Sequence, residues 1–242
     1  MRAATLRAQT RIELLLTVRR GESLIVTLAI PVGILVFFSK VDAANTSLAD
    51  PVAFLVPGVL ALAVMSTAMV SLGIATGYER RYGVLKRLGA TPLSRAGLIA
   101  AKTLNVLLIE ILQAAVIVLV GMALGWDATV PIVPAFGLLL VGTVAFAGIG
   151  MLLAGTLRAE ANLAISNGLF LVLLFLGGMA YPLDRLPGAI EAFARALPAA
   201  ALSESVRDVL AGAALPVGST VVLFAWAVAA SLAAVHWFRW EE

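Results

Sequence analysis

The stretch YERRYGVLKRLGATPLSR, Tyr78 to Arg95, separates two long apolar runs and carries five of the chain's seventeen Lys and Arg residues. At 3.6 residues per turn, a helix over Glu79 to Leu88 would be amphipathic. Its polar arc would contain Glu79, Arg80, Gly83, Lys86 and Arg87, and its apolar arc Tyr82, Val84, Leu85 and Leu88. Gly89 can adopt a left-handed conformation and Pro92 cannot continue a helix, so a turn should follow. The pattern predicts a short amphipathic helix, although a solvated basic loop between membrane helices fits the same charges.

The overall composition places this segment in a membrane protein. The chain is 62% hydrophobic and 13% charged, with a mean hydropathy of +1.04, whereas soluble domains are about 45–50% apolar. The absence of Cys excludes a disulfide framework and Cys-based metal sites. The basic residues are spread over several membrane-edge loops, so they indicate orientation in the bilayer rather than nucleic-acid binding.

Six apolar runs have the length of membrane-spanning helices, which need roughly 17–25 residues. They predict spans at residues 23–39, 52–76, 96–124, 131–157, 161–181 and 216–238. Because a helix satisfies its own backbone hydrogen bonds in lipid, we expect an all-α integral membrane protein with a single domain over residues 1–242.

The charged segments predict how the spans are oriented. Residues 1–22 carry five Arg residues. In a helix, Ala8, Ile12, Leu15 and Leu16 would gather on one side, which predicts an amphipathic helix lying on the membrane surface. Six spans place both termini on the side of the Tyr78–Arg95 segment, where thirteen Lys and Arg residues fall, against four on the other side. This asymmetry predicts a cytoplasmic location for both termini and for the segment.

Residues 182–215 are too polar to span the bilayer and too apolar for a solvated loop. They predict two short amphipathic helices, over Gly188 to Leu197 and Leu202 to Leu210, which Pro198 separates. The pattern fits either an external loop lying in the membrane interface or a re-entrant hairpin.

Several polar side chains fall inside the predicted spans. They are Asn105, Glu110 and Gln113 in the third span and Asn162 and Asn167 in the fifth. A charged side chain at the centre of a span costs about 2.5–3.5 kcal/mol on insertion scales, so Glu110 should face the bundle interior. Two roles fit it: a part of a substrate or proton path, and a structural hydrogen bond to a neighbour such as Ser71 or Asn167.

The sequence contains no recognisable catalytic motif. It lacks the G-x-x-x-x-G-K-[ST] phosphate loop, so the chain should not bind ATP itself. The only His, His236, lies beside Trp237 at the end of a predicted span and is interpreted as an interfacial residue. A membrane enzyme and an ion-coupled secondary transporter that uses Glu110 remain as alternatives.

The segment Tyr78–Arg95 resembles the loop between the second and third membrane helices in permeases of the type-2 ATP-binding-cassette exporter family. In that family a Glu-Arg pair is followed by a Gly, a Leu and a Thr-Pro ending, and the segment is the coupling helix. Tyr-Pro-Leu at 181, Leu-Pro-Gly at 186 and Leu-Pro at 197 look like the family's extracellular half-helices, which favours the re-entrant hairpin. Length, helix count and the N-terminal segment agree with the family along nearly the whole chain.

The resemblance implies the membrane subunit of an exporter that moves an amphiphilic drug, lipid, glycan or peptide out of the cytoplasm. Its implied partners are membrane lipid, a second permease chain, identical or related, and two cytoplasmic ATPase subunits that bind ATP and Mg. The implied location is the plasma membrane of a bacterium. The implied coupling residues are Glu79, Arg80, Arg81, Tyr82, Gly83, Leu85, Lys86, Arg87, Leu88, Gly89, Thr91 and Pro92. The implied hairpin residues are Pro182, Pro187, Phe193 and Pro198.

Overall fold

The computed structural model describes residues 9–16, 21–40, 51–91, 93–127, 132–179 and 181–241. In these ranges every regular element is a helix. The α-helices are α1 (9–16), α2 (Gly21–Lys40), α3 (Pro51–Arg81), α4 (Val84–Gly89), α5 (Arg95–Ala123), α6 (Ile132–Thr156), α7 (Ala159–Leu176), α8 (Gly188–Arg195), α9 (Pro198–Leu210) and α10 (Val217–Trp237). The all-α fold class predicted from the sequence is confirmed.

Five of these helices, α3, α5, α6, α7 and α10, are long and apolar enough to cross a membrane. They correspond to the second to sixth predicted spans. The first predicted span coincides with α2, in which Thr27–Lys40 forms a shorter apolar helix. The six-span layout therefore stays a prediction, while five candidate spans are observed.

The core is built around α3, which is the most buried of the five long helices. It packs against α6, and α6 packs in turn against α10. Gly150 on α6 allows a close approach, because a Cβ atom there would lie 2.6 Å from the Met69 carbonyl oxygen on α3. Small residues at such positions let membrane helices pack by backbone contact.

The middle of α3 is not α-helical. Residues Met65–Ser71 form a π-helix, and α-helix continues on either side. A π-helical turn is rare and often lies at a functional site. Nothing in the apolar pattern of the second span predicted it.

The continuous helix predicted over Glu79 to Leu88 is wrong. Helix α3 ends at Arg81, a turn follows, and α4 begins at Val84. The turn uses Gly83, whose φ of 70° lies in the left-handed region that only glycine enters at little cost. Gly89, predicted to supply that conformation, is instead the last residue of α4. Pro92 lies outside the described residues.

Candidate functional site

The segment Tyr78–Arg95, called here the polar segment, lies at one end of the bundle and contacts three other parts of the chain. These parts are α5, the turn between α6 and α7 with the first turn of α7, and the residues that follow α10, while α1 joins this end through Lys102. Two of these contacts join residues that are 77 and 155 positions apart in the sequence. The fold therefore gathers four basic or acidic segments that the charge count had placed on one side.

A buried ionic cluster joins α1, α3 and α5. Lys102 is only 2% exposed, and its Nζ lies 3.0 Å from Glu13 Oε1 and 2.8 Å from Glu79 Oε2. Gln9 Nε2 donates a hydrogen bond of 2.9 Å to Glu13. One ammonium group thus holds two carboxylates, and loss of any member leaves a buried charge without its partner. The sequence analysis predicted a coupling role for Glu79, but it did not predict that Lys102 and Glu13 belong to the same site.

Spacing along α5 is a signal that could have identified Lys102. Lys102, Asn105, Glu110 and Gln113 recur at intervals that place them within one arc of a helix, and all four are buried. Polar groups that share one face of an otherwise apolar span indicate a face that contacts protein rather than lipid.

The two arginines that follow Glu79 bind the turn between α6 and α7. Arg80 is 4% exposed, and its Nη2 donates to the Leu157 carbonyl. Arg81 forms an ion pair with Glu160 in the first turn of α7. Consecutive charged residues at the end of α3 therefore fix this helix end to two neighbouring elements.

Helix α4 has an anchored side and an exposed side. Leu85 is fully buried, Lys86 Nζ lies 2.9 Å from Glu241 Oε2, and Gly89 packs against the Trp240 ring. Tyr82 and Val84, predicted to share the apolar arc with Leu85, are instead 68% and 41% exposed. The break at Gly83 leaves Tyr82 outside α4, and Val84 is the first residue of α4, on the side away from Leu85. Among the other predicted coupling residues, the exposed ones are Arg81, Lys86, Arg87, Gly89 and Thr91.

Polar groups inside the bundle link several helices. Gln113 on α5 accepts a hydrogen bond of 3.1 Å from Thr67 in the π-helical part of α3, and it donates one of 3.0 Å to the Thr27 carbonyl of α2. Glu110 bonds through Oε2 to the hydroxyl of Thr143 on α6. The sequence correctly gave Glu110 a buried position, but the partners suggested for it, Ser71 and Asn167, are not its partner. Asn105 is also buried.

The two asparagines of α7 lie in different surroundings. Asn162 is buried, donates to the Gly73 carbonyl at 2.8 Å and accepts from Ser166 at 3.1 Å. Asn167 lies on the exposed face and donates only within α7, to the Leu163 carbonyl at 2.8 Å. Within this single chain, α7 therefore packs against protein on the face that carries Asn162.

The opposite end of the bundle carries the two short helices predicted in residues 182–215. Pro187 is the residue before α8, and Pro198 is the first residue of α9, which begins earlier than the predicted Leu202. Pro182 precedes a single 3₁₀ turn at Leu183–Arg185. Phe193 on α8 is 60% exposed, whereas α9 packs its apolar side against α3, α6 and α10.

Side chains of the second short helix bind the backbone that ends α7. Ser203 donates to the Gly177 carbonyl, and Arg207 Nη2 donates to the Gly178 carbonyl at 2.6 Å. The Arg207 guanidinium also lies 4.0 Å from the centre of the Phe54 ring. Burial lowers the pKa of Arg207 to about 10. Helix α9 is thus part of the packed bundle.

The described residues contain no group of three or more His, Cys, Asp or Glu side chains that could hold a metal ion. His236 forms an edge-on contact with Trp237, and its carbonyl accepts a hydrogen bond from Arg95 at 3.4 Å. These contacts fit the interfacial position expected for it.

Comparison with known proteins identifies the family. Residues 5–211 match the family model described as "ABC-2 type transporter", a match that runs from the N-terminal segment through α9. A Bacillus subtilis (strain 168) protein named "Putative transport permease YvfS" is 25% identical over 205 residues, which is 83% of each chain. ABC-2 permeases normally work with an ATP-binding subunit. With its five long apolar helices and a family match over most of its length, the chain is a multi-pass membrane transport permease that belongs to the ABC-2 type transporter family.

Proposed function

We propose that this chain is the membrane subunit of an ATP-driven exporter, and that the polar segment couples it to a separate ATPase. The observation that carries the proposal is the exposed surface of α4 and its preceding turn, formed by Tyr82, Val84 and Arg87. One aromatic, one aliphatic and one guanidinium side chain, all exposed at this surface, fit a groove on a protein partner with an acidic rim.

The anchoring of the polar segment supports a mechanical role. Glu79 is bonded to Lys102 on α5, Arg80 to the end of α6, and Lys86 to the residues after α10. A force on α4 is therefore passed to several spans through short contacts, which suits a rigid-body change between inward and outward access. In this proposal two cytoplasmic ATPase subunits bind ATP and Mg, dimerise and supply the force.

The outward face of α7 supports pairing with a second permease chain, either identical or related. Asn167 lies on this face beside the small residue Gly168, and both are exposed in the single chain. A polar side chain facing lipid is unfavourable, and small residues allow two helices to approach closely. Burial of this face between two permease chains removes the unfavourable contact with lipid.

The charge distribution supports the orientation, and membership of the ABC-2 family supports the class of cargo. The polar segment and both termini face the cytoplasm of a bacterium, across its plasma membrane, since they hold most of the Lys and Arg residues. The substrate is an amphiphile of the drug, lipid, glycan or peptide type, and it passes along the interface between the two permease chains. The permease itself has no catalytic role in ATP hydrolysis.

A double variant of the exposed surface tests the proposal. Tyr82→Ala with Val84→Ala removes the apolar contact and leaves the anchoring residues intact. We expect normal insertion, at least a tenfold loss of ATPase co-purification, and loss of ATP-dependent export from inverted vesicles. The matched control is Ile190→Ala with Phe193→Ala, an exposed apolar pair on α8, which should keep both activities.

Normal ATPase binding and export by the Tyr82 and Val84 variant would contradict the coupling assignment. Transport by the permease alone, driven by a pH gradient and abolished by Glu110→Gln, would favour the ion-coupled alternative instead. The chain contains no Cys, so a single cysteine at position 86 or 191 reports the orientation directly, with reagent access expected from the cytoplasm at 86 and from outside at 191.

A further inference from the structure

A small cavity lies between α3, α5 and α6, next to Glu110. Its walls are mainly apolar and include Leu60, Leu107, Ala114, Phe136 and Leu139. The cavity volume is about 20 Å³, and a cavity needs roughly 10–15 Å³ to accept one water-sized group. The space next to Glu110 therefore has room for a single small polar group.

One carboxyl oxygen of Glu110 has a hydrogen-bond partner, and the other has none among the described residues. Oε2 is within hydrogen-bond distance of the Thr143 hydroxyl, which also lies 2.9 Å from the Leu139 carbonyl, and its single proton serves one of these two acceptors at a time. Oε1 is buried and has no hydrogen-bond partner among the residues that the structure describes. Glu110 is 7% exposed in total. A buried carboxyl oxygen without a donor is costly, and a bound donor group would remove that cost.

The lining of the cavity favours a cationic donor. The residues around it include no Lys, Arg or His, so the structure supplies no positive charge there to balance a carboxylate. A hydroxyl or a water would satisfy the hydrogen bond of Oε1, but only an ammonium group would also balance its charge. An ammonium group is therefore the donor that would pair with the ionised form of Glu110.

The cavity opens on the outer surface of the bundle. Two of its lining residues, Ile111 and Phe136, are 46% and 40% exposed. Leu108 and Leu112, on the same side of α5, are also exposed. A molecule with its head at Glu110 can therefore extend an alkyl chain along this apolar surface, in the region that lipid tails occupy.

We propose that the cavity beside Glu110 binds the primary ammonium head of a single-chain cationic amphiphile that enters from the bilayer. Binding requires the permease alone. The further step, that such an amine is exported, rests on the proposed function and is tested separately.

The experiment uses photoactivatable dodecylamine, with photoactivatable dodecan-1-ol as the uncharged probe, on the purified permease in zwitterionic nanodiscs. We expect saturable amine labelling of cavity residues, and unlabelled dodecylamine should compete for it. Glu110→Gln should weaken that labelling at least tenfold and leave labelling by the alcohol unchanged. Asn167→Ser, a change of an exposed intramembrane amide, is the matched control and should bind the amine as the wild type does.

A second variant keeps the proposal testable if Glu110→Gln does not fold. Ala114→Leu fills the cavity and keeps the carboxyl group, and we expect it to reduce saturable amine labelling at least tenfold. Equal amine labelling in the wild type and in either variant would overturn the proposal, as would equal, non-saturable labelling by amine and alcohol. Export of dodecylamine is measured with the ATPase present. If the wild type binds the amine but does not export it, the result contradicts the proposed function and not the binding site.

Discussion

The two ends of the bundle each hold a short helix that does not cross the membrane, but they hold it in different ways. Helix α4 is fixed by ionic and polar contacts of its surroundings and by one fully buried Leu85, and it leaves Tyr82 and Val84 exposed. Helix α9 has Leu202 and Val206 fully buried and is bonded to the end of α7. One helix is attached to the bundle, and the other is part of its core.

This difference assigns different roles to the two helices: α9 stabilises the bundle, and α4 transmits a displacement to it. Apolar burial is non-directional and lost only when the helix leaves the core, so α9 should contribute mainly to stability. Ionic contacts are few, directional and breakable one at a time, so α4 can pass a displacement to named partners. Changes on α4 should therefore affect coupling, whereas loss of a fully buried group at either end should lower the free energy of unfolding.

The largest expected effect comes from the buried ionic cluster. Lys102→Met should lower the free energy of unfolding by about 3–5 kcal/mol, because Glu13, which is buried, and Glu79, which is half-buried, would lose their cation. An SDS titration in mixed micelles measures this. The triple variant Lys102→Met, Glu13→Gln, Glu79→Gln should recover most of the loss. An equal loss in the single and triple variants would mean that packing, and not charge, holds this end together.

The next effect concerns α9. Leu202→Ala should lower the free energy of unfolding by about 2–5 kcal/mol, because a fully buried side chain leaves a cavity. Phe193→Ala, on the exposed side of α8, should change it by less than about 0.5 kcal/mol in the same titration. Similar values for the two variants would show that the hairpin is not divided into a core helix and a surface helix.

The third effect should appear in coupling. Leu85→Ala with Leu88→Ala should weaken the docking of α4 by roughly 2–5 kcal/mol, since one of these leucines is fully buried and the other is half-buried. We expect the variant to insert and dimerise and yet to lose ATP-dependent export. Export at the wild-type rate and the wild-type expression level would refute the lever role of α4.

The smallest effect should come from the exposed pair between Lys86 and Glu241, whose side chains are 66% and 64% exposed. Lys86→Ala should change the free energy of unfolding by about 0–1 kcal/mol, because water and salt screen the pair. Repeating the titration at low and high salt checks this. A loss above about 2 kcal/mol would show that this exposed pair stabilises the fold as strongly as a buried ion pair does.

The spans could be predicted from the sequence because the length of an apolar run decides whether it crosses a bilayer. The position of the turn in the polar segment could not be predicted in the same way. Gly83 and Gly89 can both adopt a left-handed conformation, and the choice depends on where Arg80 and Lys86 find their distant partners. Local patterns contain no information on those partners.

The same limit applies to the intramembrane polar groups. That Glu110 faces inward follows from the cost of exposing it to lipid. Its partner, Thr143, lies on α6, so the pairing depends on how α6 is rotated against α5. The sequence of α5 does not determine that rotation. Lys102, Asn105 and Gln113 share the face of Glu110. The spacing along α5 could therefore predict this polar face, but not the hydrogen-bond partner of each residue on it.

The long sequence separations at the polar end have a consequence for biogenesis. Lys86 and Glu241 are 155 residues apart, so at roughly 5–20 residues per second the ribosome adds Glu241 about 8–30 s after Lys86. The bond from Glu13 to Lys102 likewise waits for 89 residues of synthesis. During that interval Lys86 lacks its partner Glu241, and Glu13 lacks Lys102 until α5 has been synthesised. Docking of α4 is therefore a late step of assembly, which follows the synthesis of α10.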